Sequence, residues 1–143
     1  MCGFCGIVGP ARSAAASDVE AMARTLAHRG PDDFGTWTAR FPAAGEEYAV
    51  ALGHTRLSII DVTGSHQPLS DVSGRVHLCF NGEIFNYREL RKELQAEGYL
   101  FRTRGDTEVI LALYLMRGPD RLDALEGQFA FAIFDEREGI LWL

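Results

Sequence analysis

Residues 109–116 (VILALYLM) constrain this chain more than any other segment, because they join helical length to apolar side chains almost all the way round. A surface helix keeps a polar stripe for water, so a helix without one has to be covered on more than one side. Asp106 stands where an N-cap would open it. The expectation is a helix sandwiched between layers, and the flanking segments say which layers. Residues 2–9 (CGFCGIVG) form an apolar opening that suits a buried strand, with glycines that permit close backbone approach. Residues 34–41 and 48–54 predict two short strands around a Pro/Gly/Glu loop, and residues 56–62 a third, β-branched one. A loop rich in Gly, Ser, Gln and Pro follows. Residues 75–81 (RVHLCFN) alternate polar and apolar, as a half-buried strand does, with Gly82 ending it. Residues 99–103 predict a short strand, and 128–135 with 139–143 a terminal hairpin.

Helices fall between these strands. Ser17 and Glu20 make a capping-box pattern, after which Val19, Met22, Ala23 and Leu26 recur at helical spacing up to Gly30-Pro31. Asn86 and Glu89 repeat the pattern for a helix carrying Leu90 and Leu94 until Gly98, and residues 119–125 predict a short helix. Strands in apparent meander order with helices interspersed predict an α+β fold with helices covering sheet faces. At 143 residues, 47% of them hydrophobic, the chain suffices for one core and one domain, 1–143. It stops on Ile140-Leu141-Trp142-Leu143, in mid-strand, which predicts a piece of a longer protein.

Charge and cysteine content remove several function classes. The net charge of -6 is mild and no Lys/Arg cluster appears, which argues against nucleic acid or an anionic membrane as partner. No signal-peptide pattern is present, and no apolar run approaches the roughly 20 residues of a membrane span. A cytoplasmic location is the default expectation. Three cysteines argue for reduced thiols rather than a disulfide framework.

Cys2 follows the initiator methionine directly. Removal of Met1 would leave one residue with both a thiol nucleophile and a free α-amine, which titrates near pH 8 (about 7.7–8.0) and is partly unprotonated at neutral pH. Other polar residues leave two readings open. His28-Arg29-Gly30-Pro31-Asp32-Asp33 is a charged turn. Arg56 lies in a stretch otherwise built for packing, where a guanidinium can grip a carboxylate bidentately or pair with a structural acid. Asn81-Gly82 can be an oxyanion hole, from an amide donor and an exposed backbone N–H, or a simple turn. Asp106 can cap a helix or hold an ammonium group.

Taken together, MCGFCGIVG, HRGPDDFG, GHTRLSIID, GSHQPLS, CFNGEIFNYRELRKEL, TRGDTEVILALY and LEGQFAFAIFD resemble, in order and content, the class II glutamine amidotransferase domain. The likeness is strongest to the glutaminase domain of glutamine-hydrolysing asparagine synthetases. The resemblance implies an N-terminal-nucleophile hydrolase fold, a four-layer αββα sandwich, here truncated at its C-terminus and without the synthetase domain. It implies that Cys2 is the nucleophile and its own amine the base. Asn81, by its side-chain amide, and Gly82, by its N–H, match the oxyanion hole. Arg56 matches the residue that holds the α-carboxylate of L-glutamine, and Asp106 the partner of its α-ammonium. Leu57, Ile59 and Glu83 match positions lining that pocket. Ammonia would pass to an ATP-dependent synthetase domain or subunit, most naturally for asparagine synthesis from aspartate; ATP and magnesium belong to that domain, and this segment needs no cofactor. A homodimer is left open. The alternative is a non-catalytic or regulatory fragment that keeps the fold without turnover.

One departure concerns Cys5, which stands where relatives often carry a small residue and makes Cys2-Gly3-Phe4-Cys5. Zinc needs about four ligands. The remaining Cys79, His28, His54, His66 and His77 show no second paired spacing, so no metal is expected. Residues 2 and 5 of an extended segment face opposite ways, which disfavours a local disulfide. Cys5 reads as a small buried hydrophobe.

Overall fold

The computed structural model describes residues 2–13, 16–43, 45–61 and 64–143. Its strands are β1 (Gly3–Pro10), β2 (Asp33–Ala43), β3 (Glu46–Arg56), β4 (Leu69–Ser70), β5 (Val76–Ile84), β6 (Gly127–Asp135) and β7 (Ile140–Trp142). Its α-helices are α1 (Ala16–Thr25), α2 (Tyr87–Ala96) and α3 (Thr107–Arg117), with 3-10 turns at Ala11–Ser13 and Pro119–Ala124. The strands form two sheets, ordered β1-β3-β2 and β4-β5-β6-β7. The second is the expected meander. In the first, β3 lies in the middle, so β1 pairs with the far side of the β2–β3 hairpin. No helix among the described residues is long and apolar enough to cross a membrane.

The chain divides into two compact units, the first comprising 1–58, 66–81 and 131–143, the second 59–65 and 82–130. In the first unit β3 pairs antiparallel with β1, from Gly3 opposite Thr55 to Pro10 opposite Tyr48, and with β2, from Asp33 opposite Arg56 to Ala43 opposite Glu46. Alternate β3 side chains face opposite ways, and each face is used. Val50 and Leu52 join Cys79, Ala132 and Phe134 in a buried cluster flanked by Phe4, Trp37, Phe41 and Leu141. Gly53, on the other face, lets α1 approach: a Cβ there would stand 2.9 Å from that of Ala23. Helix, sheet, sheet is therefore the layer order within this unit.

In the second unit α3 is buried at every residue from Thr107 to Tyr114, as its apolar circumference predicts. Its exposed end begins at Met116. Helix α2 ends as Gly98 predicts: Gly98, at φ 100°, donates its N–H to Gln95 and Tyr99 donates to Leu94. This is a Schellman cap, which takes up two carbonyls that the helix leaves unpaired.

Several expectations are corrected. Ser17 lies inside α1 rather than capping it. The strand over 56–62 is absent: Arg56 ends β3, residues 57–61 are irregular, and 62 lies outside the described residues. Ser58 N–H is taken by the Asp32 carboxylate at 2.8 Å, and Asp61 adopts φ 53°, which breaks an extended run. Residues 99–103 are likewise not a strand, because the N–H groups of Arg102 and Thr103 bind the Glu108 carboxylate at 3.0 and 2.6 Å. Gly82 does not end β5, which runs on to Ile84. Asn86 holds the N-cap position without capping; its side chain donates to Ala124 O at 2.9 Å and accepts from Glu126 N–H at 3.1 Å.

Candidate active site

In the first unit the structure brings Cys2 to the end of β3. Leu57 N–H donates to Cys2 Sγ at 3.3 Å, and the thiol faces Leu57 O at 3.7 Å. The Arg29 guanidinium donates to the Cys2 carbonyl at 2.8 Å. Cys2 is thus held at its sulfur and at its carbonyl.

The turn carrying Arg29 is the scaffold for this arrangement. A Cβ on Gly30 would come within 2.5 Å of the Arg56 backbone, so only glycine lets the turn lie against β3. Pro31 bridges Arg56, Asp32 N–H donates to Arg56 O at 3.0 Å, and the Asp32 carboxylate accepts from Ser58 N–H. Arg29 and Asp32 brace Cys2 and Ser58, a part that reading the motif as a turn overlooks. Their charges were the available signal, since a turn needs neither. Arg56 is 4% exposed at the last position of β3.

Asn81 ends the first unit's part of β5. Its Oδ1 is buried without a hydrogen-bond partner, an uncommon state for a side-chain amide and one that suits a group reserved for a ligand. Amide oxygen and nitrogen are exchangeable by a rotation of the side chain, so an orphaned end can present either donor or acceptor.

The second unit holds the remaining candidates. Gly82, next along β5, has φ 147°, and a Cβ there would meet the Phe129 backbone at 2.5 Å. Glu83 is exposed, while Ile59 is 72% exposed in the irregular segment after β3. Asp106 occupies the N-cap position of α3 but makes no capping bond; its carboxylate accepts from Ile84 N–H at 3.1 Å. Burial raises its pKa, with the nearby Glu83 charge acting the same way and the Ile84 bond opposing. The residue is therefore a buried acid placed one residue ahead of a helix. The loop bearing it is pinned from two sides, by Glu108 at Arg102 and Thr103 and by Asp61 at Arg104 N–H, 2.9 Å.

Cys5 leaves the Cys2 neighbourhood. Its thiol donates to Val19 O on α1 at 3.8 Å, and burial raises its pKa, as for a packed, unreactive thiol. Burial pushes Cys79 up further. Met1, on whose removal the terminal amine depends, lies outside the described residues.

The family described as "Glutamine amidotransferase domain" matches residues 1–143. Asparagine synthetase [glutamine-hydrolyzing] 1 of Bacillus subtilis is 40% identical over 146 residues, covering 99% of this chain and 22% of that protein. Asparagine synthetase B [glutamine-hydrolyzing] of Escherichia coli is 42% identical over 117 residues, covering 82% and 20%. The chain thus spans about a fifth of the length of these curated relatives. Among solved structures, the glutamine phosphoribosylpyrophosphate amidotransferase of Bacillus subtilis superposes with a TM-score of 0.66 at 24% identity, over 92% of this chain and 35% of that one. A likeness at that identity speaks for the mixed α+β fold alone. With the whole chain matched and its core motifs folded as described, the chain belongs to the glutamine amidotransferase domain family.

Proposed function

We propose that this domain hydrolyses L-glutamine to glutamate and ammonia with Cys2 as nucleophile. Once Met1 is removed, the α-amine takes the thiol proton as sulfur attacks the carbonyl carbon of the side-chain amide. The tetrahedral oxyanion is held by the Asn81 amide and the Gly82 N–H. Collapse breaks the C–N bond, the ammonium returns its proton to the leaving nitrogen, and water then cleaves the γ-glutamyl thioester. Arg56 holds the substrate carboxylate and Asp106 its ammonium, with Leu57, Ile59 and Glu83 around them. Glutamine has one anion, one cation and one amide, and this set offers a complement to each.

The observation that carries the reading is the Cys2 sulfur under the Leu57 N–H, with the Cys2 carbonyl anchored by Arg29. The orphaned Asn81 amide oxygen and the buried Asp106 support it. The helix, sheet, sheet order of the first unit and the amidotransferase likeness support a four-layer αββα sandwich. Kinship with glutamine-hydrolysing asparagine synthetases, of which the chain spans 22%, supports delivery of ammonia to an ATP-dependent synthetase domain or subunit that converts aspartate to asparagine. ATP and magnesium act in that domain, and a cytoplasmic location suits the reduced thiol of Cys2. Purified protein tested by intact mass and by glutamate release decides the matter. Protein lacking Met1 should release glutamate, and Cys2→Ala should not. Met1-free protein that forms no glutamate would establish the alternative, a fragment that keeps the fold without turnover.

A further inference from the structure

We propose that His54 and Gln67 are positioning residues for the Asn81 amide, acting through the backbone of Phe80; the inference rests on the glutaminase reading above. Asn81 Oδ1 has no hydrogen-bond partner, so that bond does not help to set where this side chain points. Its position is set in part by the backbone that carries it. That backbone is held in an unusual way at the preceding residue. Phe80 N–H donates to Gln67 Oε1 at 2.6 Å, and His54 Nε2 donates to the Phe80 carbonyl at 3.0 Å. Both clamping side chains are buried, 1% exposed for His54 and 5% for Gln67.

The strand pairing explains why side chains are needed. β4 pairs with β5 only at Leu69 opposite Leu78 and Ser70 opposite His77. Continued by two residues, the same register would set Gln67 opposite Phe80 and satisfy it with backbone bonds. The Gln67 carbonyl instead turns to β2, into space that any Cβ on Gly35 would fill. The Gln67 side-chain amide then replaces the missing strand. His54 reaches Phe80 from β3, in the other sheet, and so ties the two sheets together immediately before Asn81. Because a carbonyl only accepts, Nε2 bears the proton, and burial keeps the ring neutral, its pKa lowered to about 4 despite the opposing Phe80 bond and Asp33 charge; Arg56 lowers it further. A neutral imidazole of one tautomer is a fixed donor with no charge to attract water.

Four variants test this, each with glutaminase kinetics and with the NMR signals of the Asn81 side-chain amide. Gln67→Met and His54→Phe keep the volume and remove the hydrogen bond, whereas Gln67→Glu and His54→Gln keep an acceptor and a donor at those positions. The first pair should lower kcat by about tenfold or more, since small misplacements of a reacting group cost up to roughly a hundredfold. KM for glutamine should stay within about twofold, and the Asn81 amide signals should move or broaden. The second pair should keep most of kcat and the native Asn81 signals. Wild-type kcat in Gln67→Met and His54→Phe, or equal losses in all four, would overturn the inference while leaving the glutaminase reading intact. Met1-free wild-type protein without turnover, or Asn81→Ala with full kcat, would overturn the reading and the inference with it. Should either apolar variant fail to fold, the pair at the other position carries the same comparison.

Discussion

At the scale of single residues, burial decides the chemistry of the ionisable groups. His54 has its folded pKa lowered to about 4 from an ordinary 6.5. The unfolded chain therefore binds the proton more readily, so the stability contributed by the neutral ring is full above about pH 6.5 and is lost as pH falls toward 4. A shift of that size corresponds to about 3 kcal/mol at roughly 1.4 kcal/mol per unit. Urea titrations between pH 7 and 4 should show this loss, with a shallower slope for His54→Gln. Asp106 moves the other way. Its raised pKa means that it neutralises at higher pH than an ordinary aspartate, so in the proposed role it would release the substrate ammonium earlier. KM for glutamine should rise on the acid side in wild type, whereas Asp106→Asn should show a high KM at every pH without that rise. At the oxyanion, Asn81→Ala should cost about 3 kcal/mol in the barrier, roughly a hundredfold or more in kcat; unchanged glutamate release would remove Asn81 from that role.

Elements divide between those stabilised by their own residues and those shaped by distant side chains. Helices α2 and α3 follow from local patterning, because their bonds join residues three to five apart and their apolar positions repeat with the helical period. The missing strands at 57–61 and 99–103 could not be read this way. Their backbone N–H groups are taken by Asp32 and Glu108, and nothing in β propensity records a carboxylate folded back from elsewhere. Gly82 belongs to the same class. As a dipeptide Asn81-Gly82 looks like a turn, yet the glycine serves a continuing strand at φ 147° pressed against β6. Gly82→Ala should strain the backbone by about 1–3 kcal/mol and disturb β5 beside Asn81. A lowered urea midpoint together with reduced kcat is the expected result.

Over the whole molecule, the first unit depends on apolar packing between two sheets, centred on Phe134 with Val50, Leu52, Cys79 and Ala132. Phe134 is 1% exposed and lies against Trp37 and Phe41. Phe134→Ala should destabilise this unit by about 3–5 kcal/mol, measured by denaturant unfolding followed through Trp37. The sequence by itself determined the family, the helices and the hairpin β6–β7, because motif order and local periodicity survive in one dimension. Tertiary structure alone decided that β3 sits between β1 and β2, that Arg29 and Asp32 hold Cys2 and its neighbours, and that His54 and Gln67 grip Phe80. Cys2 is suggestive as a thiol beside an amine; what holds its sulfur and its carbonyl comes from residues 55 and 27 positions away. Such bonds depend on distance in space, which a linear pattern does not encode.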